Sequence, residues 1–484
     1  MFSDLYDKKY LLQCLVWLGI VFGLMRVTGG AGFAIVIPMV LYSVLAKKSE
    51  SLLFWLLVSV CAIIINPYLV MKGGGFAWMQ RVLMLFLGCV MAVNVVAQRM
   101  HDAIRPYAGM FFYIVFMLFS STFGWCPIIS YLKIILFSLV YFSYLGVSNQ
   151  VGMNVNVSSR KIRSVMLAFT ILFVLGSIAL VPFPGLSQLK AKDFLAGKLD
   201  LSGTVSLFIG MANHSQCLGP VVSSISVILL GDLLFSIKKT DVLYILHLLC
   251  CPYLIYKTSS RTGMGAYVLG MLFVIYLFFI KARGIAGYWK SRVFSFLMLL
   301  SAVAMFTLLL MPNVQNRIVR FVLKTQEAES AQLTSENIFS SRQGLMDYAI
   351  YNFKKRPLIG NGFQVSELME NLKLKDGAQL LSAPVEKGVW VTAVLEEGGA
   401  CGWTIFVIFL IACIVKSVKR RAYIGASCLF LCTLTNLGEF TFFSMSYTGG
   451  FTWAMVFVGL ALDVRRIREE EMMYWQMSMQ SNCI

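Results

Sequence analysis

The chain has 484 residues, of which 58% are hydrophobic and 13% charged, with a mean hydropathy of +0.77 and a formal net charge of +18. A water-soluble domain of ordinary composition is not this apolar, so the sequence reads as an integral membrane protein. The positive charges stand singly or in small clusters between apolar runs, without a basic stripe interleaved with aromatics, so they point to orientation in a bilayer and not to nucleic acid.

A helix needs roughly 17 to 25 apolar residues to cross the hydrocarbon, and shorter stretches serve in a bundle core. Fourteen stretches qualify. In chain order they are Tyr10 to Met25, Ala31 to Ala46, Leu52 to Val70, Val82 to Ala97, Tyr107 to Phe123, Ile128 to Val147 and Val165 to Val181. Then follow Cys217 to Ile237, Val242 to Tyr256, Met264 to Ile280, Val293 to Met311, Trp403 to Val415, Tyr423 to Leu437 and Phe451 to Leu462. The first follows "DLYDKK" and lacks a small-residue cleavage site, so it reads as a retained span. The expected fold is all-α: residues 1–484 as one integral membrane domain, a polytopic helix bundle of about 12 to 14 spans. The twelve cysteines lie mostly inside apolar runs, outside CxxC or Cys/His spacings, so neither a disulfide framework nor a metal site is expected.

Short loops of one alternating set carry 22 lysines and arginines, from Lys8/Lys9 to Arg465/Arg466/Arg468. The opposite set carries only 6: Arg26, Lys72, Arg81, Lys133, Lys257 and Arg261. Lys and Arg gather on the cytoplasmic side, which predicts both termini inside and two long segments outside, 182–216 and 312–402. The larger balances ten basic against ten acidic residues and keeps apolar positions, unlike a disordered linker. Within it Leu345, Met346, Ala349, Ile350 and Phe353 share a helical face after Ser340/Ser341, predicting an amphipathic helix on the membrane surface that stops at Pro357 and the Gly360–Gly362 turn.

"SSRTG" (259–263) and "SSRQG" (340–344) place an arginine in the same polar setting twice, both on the expected outer face. A guanidinium keeps its charge and meets phosphate oxygens two at a time, so Arg261 and Arg342 together suit a diphosphate; alternatively each anchors a helix end among lipid headgroups. His214 near the outer end of a span reads as a hydrogen-bonded structural residue or a ligand-facing group. Asn436 and Glu439 lie near the outer end of another span, and Lys133, inside the sixth, is expected to snorkel outward.

"SSRTGMGAYVLG", "SSRQGLMDYAIYNFKKRPLIGNGF" and "EEGGACGW", in that order, resemble the bacterial O-antigen ligase and polymerase family over roughly residues 201–410. The matching positions are Arg261 with Gly263, Arg342 with Pro357, Gly360 and Gly362, and Glu397 with Gly399 and Gly402. "GMANHSQCLGP", containing Asn213 and His214, is similar to the family's asparagine-containing entry to a mid-chain span. The family's histidine, about nine residues before that glutamate, is missing: the position is Gly388, and the nearest substitutes are Lys387 and Glu386. Lysine there neutralises a leaving diphosphate, whereas glutamate accepts a hydroxyl proton directly; both are otherwise solvated loop charges.

The resemblance implies a glycosyltransferase of the bacterial inner membrane, working at the outer face on undecaprenyl-diphosphate-linked oligosaccharide in surface polysaccharide or lipopolysaccharide synthesis. Its acceptor is another glycan or a lipid, the sugar carbon inverts, and neither metal nor other cofactor takes part. Catalytic roles fall to Glu386, Lys387, Arg261 and Arg342, and substrate binding to both arginines with His214, Glu397 and Asn213. A lipid-linked glycan flippase or transporter is the rival, but it would line its spans with cations, and here the polar residues collect at one face.

Overall fold

The computed structural model describes residues 5–70, 76–97, 99–189, 207–236, 241–258, 260–281, 335–367, 387–438, 440–444 and 448–481. They form fourteen principal helices: α1 (Lys8–Thr28), α2 (Val36–Leu45), α3 (Ser49–Ile64), α4 (Phe76–Ala97), α5 (Met110–Thr122), α6 (Pro127–Met153), α7 (Ser159–Leu180), α8 (Ser215–Phe235), α9 (Val242–Thr258), α10 (Arg261–Lys281), α11 (Ser335–Lys355), α12 (Trp390–Lys419), α13 (Tyr423–Thr435) and α14 (Thr448–Ser481). Strands β1 (Gln188–Leu189) and β2 (Leu207–Phe208) make one short antiparallel ladder.

Among the described residues, six helical segments are long and apolar enough to cross a membrane: Lys8–Leu45, Pro127–Met153, Ser159–Leu180, Ser215–Phe235, Arg261–Phe279 and Trp390–Lys419. α3, α9 and α13 are shorter apolar helices. The first two expected spans form the single segment Lys8–Leu45, joined by a 3-10 turn at Gly29–Ile35. Gly32 presses onto α1 there, since a Cβ would stand 2.5 Å from the Leu24 carbonyl carbon. The expected span Val293 to Met311 lies outside the described residues, as do much of 182–216 and 312–402.

Apolar side chains gain little from leaving lipid for protein, so helices associate through close packing and buried polar contacts. Small residues permit the approach: a Cβ on Gly88 would meet the Leu139 side chain at 2.6 Å, and one on Gly219 would meet Ser260 at 2.7 Å. A run of rings fills the centre. Tyr113 stacks on Phe443 at 5.3 Å, Phe443 meets Phe137 at 5.3 Å and Phe363 at 5.1 Å, and Trp453 meets Tyr141 at 5.1 Å.

Hydrogen bonds sort the connections into two ends. At one, Asp7 N donates to Ser164, Lys161 to Glu50, Ser159 to Glu469 and Arg465 to the Asn154 carbonyl. At the other, Asn213 N donates to the Ile64 carbonyl, Trp125 N to that of Asn361 and Phe440 N to that of Gly388. The first end gathers clusters of the abundant basic set, and the second the segments that hold the family-like motifs.

At the basic end the Arg163 guanidinium grips Asp232 with two bonds, at 2.8 and 3.1 Å, and Tyr244 donates to the same carboxylate at 2.8 Å. Asp232 is fully buried, so removing its cation strands a charge. Breaking one partner of a buried pair loses about 3 to 5 kcal/mol. Arg163→Met is therefore expected to lower the thermal midpoint of the detergent-solubilised protein strongly, and adding Asp232→Asn, which still accepts from Tyr244, should restore most of it.

Candidate active site

α12 is broken near its start. Gly399 takes φ 62° and ψ −168°, which no helix interior accommodates, and the break frees backbone groups on both sides. The segment 357–362 enters the gap and satisfies them. Ala400 N donates to the Pro357 carbonyl at 2.8 Å and Cys401 N to that of Leu358 at 3.2 Å. In return Asn361 N donates to the Glu396 carbonyl at 2.9 Å and Gly362 N to that of Glu397 at 3.0 Å. Only glycine allows this approach at two points: both Gly360 (φ 74°) and Gly399 have positive φ, and a Cβ on either would overlap the opposing backbone.

The turn between α5 and α6 holds the inserted segment from behind. Ser120 Oγ donates to the Ile359 carbonyl, Phe363 N to Ser121 Oγ at 3.3 Å, and Ser130 Oγ to the Phe363 carbonyl at 3.2 Å.

Three acidic and basic side chains meet under this junction. Lys387 Nζ stands 3.3 Å from Glu396 Oε2 and 3.2 Å from Glu397 Oε1, with side-chain exposures of 3%, 2% and 0%. Burial opposes the lysine charge, but the two carboxylates outweigh it and hold its pKa above the ordinary lysine value. Lys387 is thus a fixed cation. Asn352 Nδ2 donates to Glu396 Oε1 at 3.1 Å, and Asn361 Nδ2 donates to the Asn352 carbonyl at 2.9 Å. Neither Glu397 oxygen meets an aligned donor, although the Gln364 amide and Lys387 lie beside it. Lys133 is expected from the sequence to snorkel outward; instead its ammonium is buried and donates to the Gln364 carbonyl at 2.8 Å, an oxygen just beyond the inserted segment that stands where a headgroup would.

Arg261 begins α10 and is partly buried. Its neighbours fix that helix start: Ser223 Oγ donates to the Gly263 carbonyl at 2.9 Å, and Gly438 packs so tightly on Thr262 that a Cβ would overlap it. Asn436, Gly438 and Phe440 bridge from there to the ion cluster. Trp390 N donates to the Asn436 carbonyl at 3.0 Å and Phe440 N to that of Gly388 at 2.9 Å. So the start of α10 and the approach to α12 share one end of the bundle.

Asn213 and His214 are built into the same end. Asn213 N donates to the Ile64 carbonyl at 2.7 Å, and His214 caps α8, its Nδ1 accepting from Gln216 N at 3.1 Å. Arg342 lies in α11, which begins at Ser335, earlier than the Ser340/Ser341 cap expected, and stops at Lys355 before Pro357 as the spacing predicts. Glu386 and Glu439 lie outside the described residues, as does the Arg342 side chain. Sequence reasoning missed Glu396, Asn352 and Asn361. The available signal was the asparagine inside "GNG" and a second carboxylate beside the motif glutamate.

Residues 246–386 match the protein family described as O-antigen ligase. No curated protein matches the chain. The matched region contains Arg261, Arg342 and Glu386 and ends one residue before Lys387.

Gly399→Ala forces an L side chain into positive φ and against the Leu358 backbone, a strain of about 1 to 3 kcal/mol before any clash. It should lower the thermal midpoint sharply. Gly398→Ala, whose Cβ would meet the flexible Met117 sulfur at 3.0 Å, should not.

Proposed function

We propose that this membrane protein, which carries an O-antigen ligase domain over residues 246–386, transfers or polymerises glycan from an undecaprenyl-diphosphate carrier at the outer face of a bacterial cytoplasmic membrane. The observation that carries the reading is the meeting of α10, headed by Arg261, with the Lys387 cluster and the inserted segment at one end of the bundle. Glycosyl transfer outside the cell has no nucleotide sugar to draw on, so its donor arrives activated on a lipid.

In this reading Arg261 and Arg342 grip the diphosphate. The acceptor hydroxyl attacks the sugar carbon, the carbon–oxygen bond to phosphate breaks with inversion, and its electron pair leaves on the diphosphate, where the guanidinium groups meet the growing charge. Glu386 takes the hydroxyl proton. Lys387 is held cationic by two carboxylates, which suits it to anchoring the residue before it and not to accepting protons. Asn213, His214 and Glu397 act on substrate through what they position: the first two the start of α8 beside α10, the third Lys387. The arginines supply the charge a metal would otherwise bring, so transfer should persist in a chelator.

Transfer from a lipid-linked donor in reconstituted vesicles tests the assignment. Lysine keeps the charge but loses the two-point fork, so Arg261→Lys and Arg342→Lys should each lower transfer about 100-fold while the protein accumulates normally. Near-normal transfer in both would leave only headgroup anchoring. Glu386→Gln should abolish turnover with donor affinity retained.

The excess of Lys and Arg at one end supports a cytoplasmic placement for that end and for both termini. In a background without exposed thiols, Lys354→Cys should react with an impermeant thiol reagent on spheroplasts, and Glu471→Cys only after the membrane is opened. The reverse pattern would invert the molecule.

A further inference from the structure

α11 is held to the bundle at very few points. Between Gln343 and Lys355 only Ala349 and Asn352 are buried, at 1% and 0% exposure, while Tyr348, Ile350 and Tyr351 stand 39%, 39% and 59% exposed. The polar one of the two anchors is the amide that donates to Glu396 Oε1. Its own carbonyl accepts from Asn361 Nδ2, which ties the same point to the segment inserted into α12. The other oxygen of the Glu396 carboxylate faces Lys387 at 3.3 Å.

Arg342 precedes Asn352 by ten residues on one continuous helix, a separation of about 15 Å at 1.5 Å per residue. A rigid arm of that length converts a small rotation at its pivot into a displacement of several ångströms at Arg342. Positioning errors on that scale are large against the tolerance of a two-point phosphate contact. The Glu396 carboxylate thus joins Asn352 to Lys387, and it is buried at 2% exposure.

We propose that Glu396 is a positioning residue: held by Lys387, its carboxylate sets through Asn352 where α11 delivers Arg342. The inference rests on the reading of Arg342 as a donor ligand. It differs from that reading in assigning the alignment of the arm to a single buried hydrogen bond between an amide and a carboxylate, which side-chain exchange can reverse in polarity.

The test uses the full-length protein in vesicles, with lipid-diphosphate oligosaccharide as donor. Asn352→Ala and Glu396→Gln should each raise the donor KM by about 10-fold or more and leave the acceptor KM unchanged, as loss of donor alignment requires. In the exchanged pair Asn352→Asp with Glu396→Gln, the new amide donates to the new carboxylate and its oxygen still faces Lys387, so transfer should return to within about threefold of the parent. Because Asn352 acts through Arg342, the Asn352→Ala effect on donor KM should shrink below about twofold in an Arg342→Lys background. Thermal midpoints in detergent separate these effects from misfolding. A full Asn352→Ala effect in the Arg342→Lys background, or no recovery in a folded exchanged pair, would overturn the positioning role. Impaired Arg342→Lys beside an unaffected Asn352→Ala overturns this inference alone, whereas normal transfer by Arg342→Lys overturns the donor reading and this one with it.

Discussion

A helix that breaks inside an apolar environment must find partners for the amides and carbonyls it releases, and everything at the active end of this molecule follows from how α12 meets that demand. The break at Gly399 leaves two carbonyls behind it and two amides ahead of it, and segment 357–362 answers all four. Water could answer them on an exposed helix. Here the partners come from a segment that precedes α12 by about thirty residues, so the backbone itself closes the large segment onto the bundle. The glycines at 360 and 399 are the geometric condition, and the ion cluster at Lys387 is the electrostatic consequence of bringing the two strands of chain together.

The cluster is unusual in its balance. Two carboxylates and one ammonium share a space that excludes water, and Lys133 reaches the neighbouring Gln364 carbonyl from α6. Buried charge is expensive, and replacing it with apolar groups is often neutral or stabilising, so stability alone is a poor reason for such a group. Fixing a register between three separate stretches of chain is a better one. The polar contacts made by Asn352, Asn361 and Glu396 have this character: they tie α11, the inserted segment and α12 together, and each has a defined direction.

Much of the helical fold was legible in the alternation of apolar runs with cationic punctuation, since bilayer thickness sets helix length. Pro357 marked the end of α11. Arg261 and Arg342 stood out because the same SSRxG setting recurs, and Glu397 because it heads the family-like Glu-x-Gly-x-x-Gly spacing. Glu396 did not, because its importance lies in a bond to Asn352, 44 residues away, that exists only once α12 has broken. Lys133 was misjudged for a related reason: from the sequence its only visible outlet was the lipid surface, and the carbonyl it reaches belongs to a segment 231 residues further on. Periodicity reports what faces apolar surroundings, and it is silent on which polar groups meet within them.

The run of rings beneath the site has a consequence for water. Tyr113, Phe137 and Phe363 each pack against Phe443, and Tyr141, Trp453 and Phe457 continue the run. Aromatic edges and faces offer poor stepping stones for water. The contacts that hold the helices together thereby also leave little room for a file of water along this run.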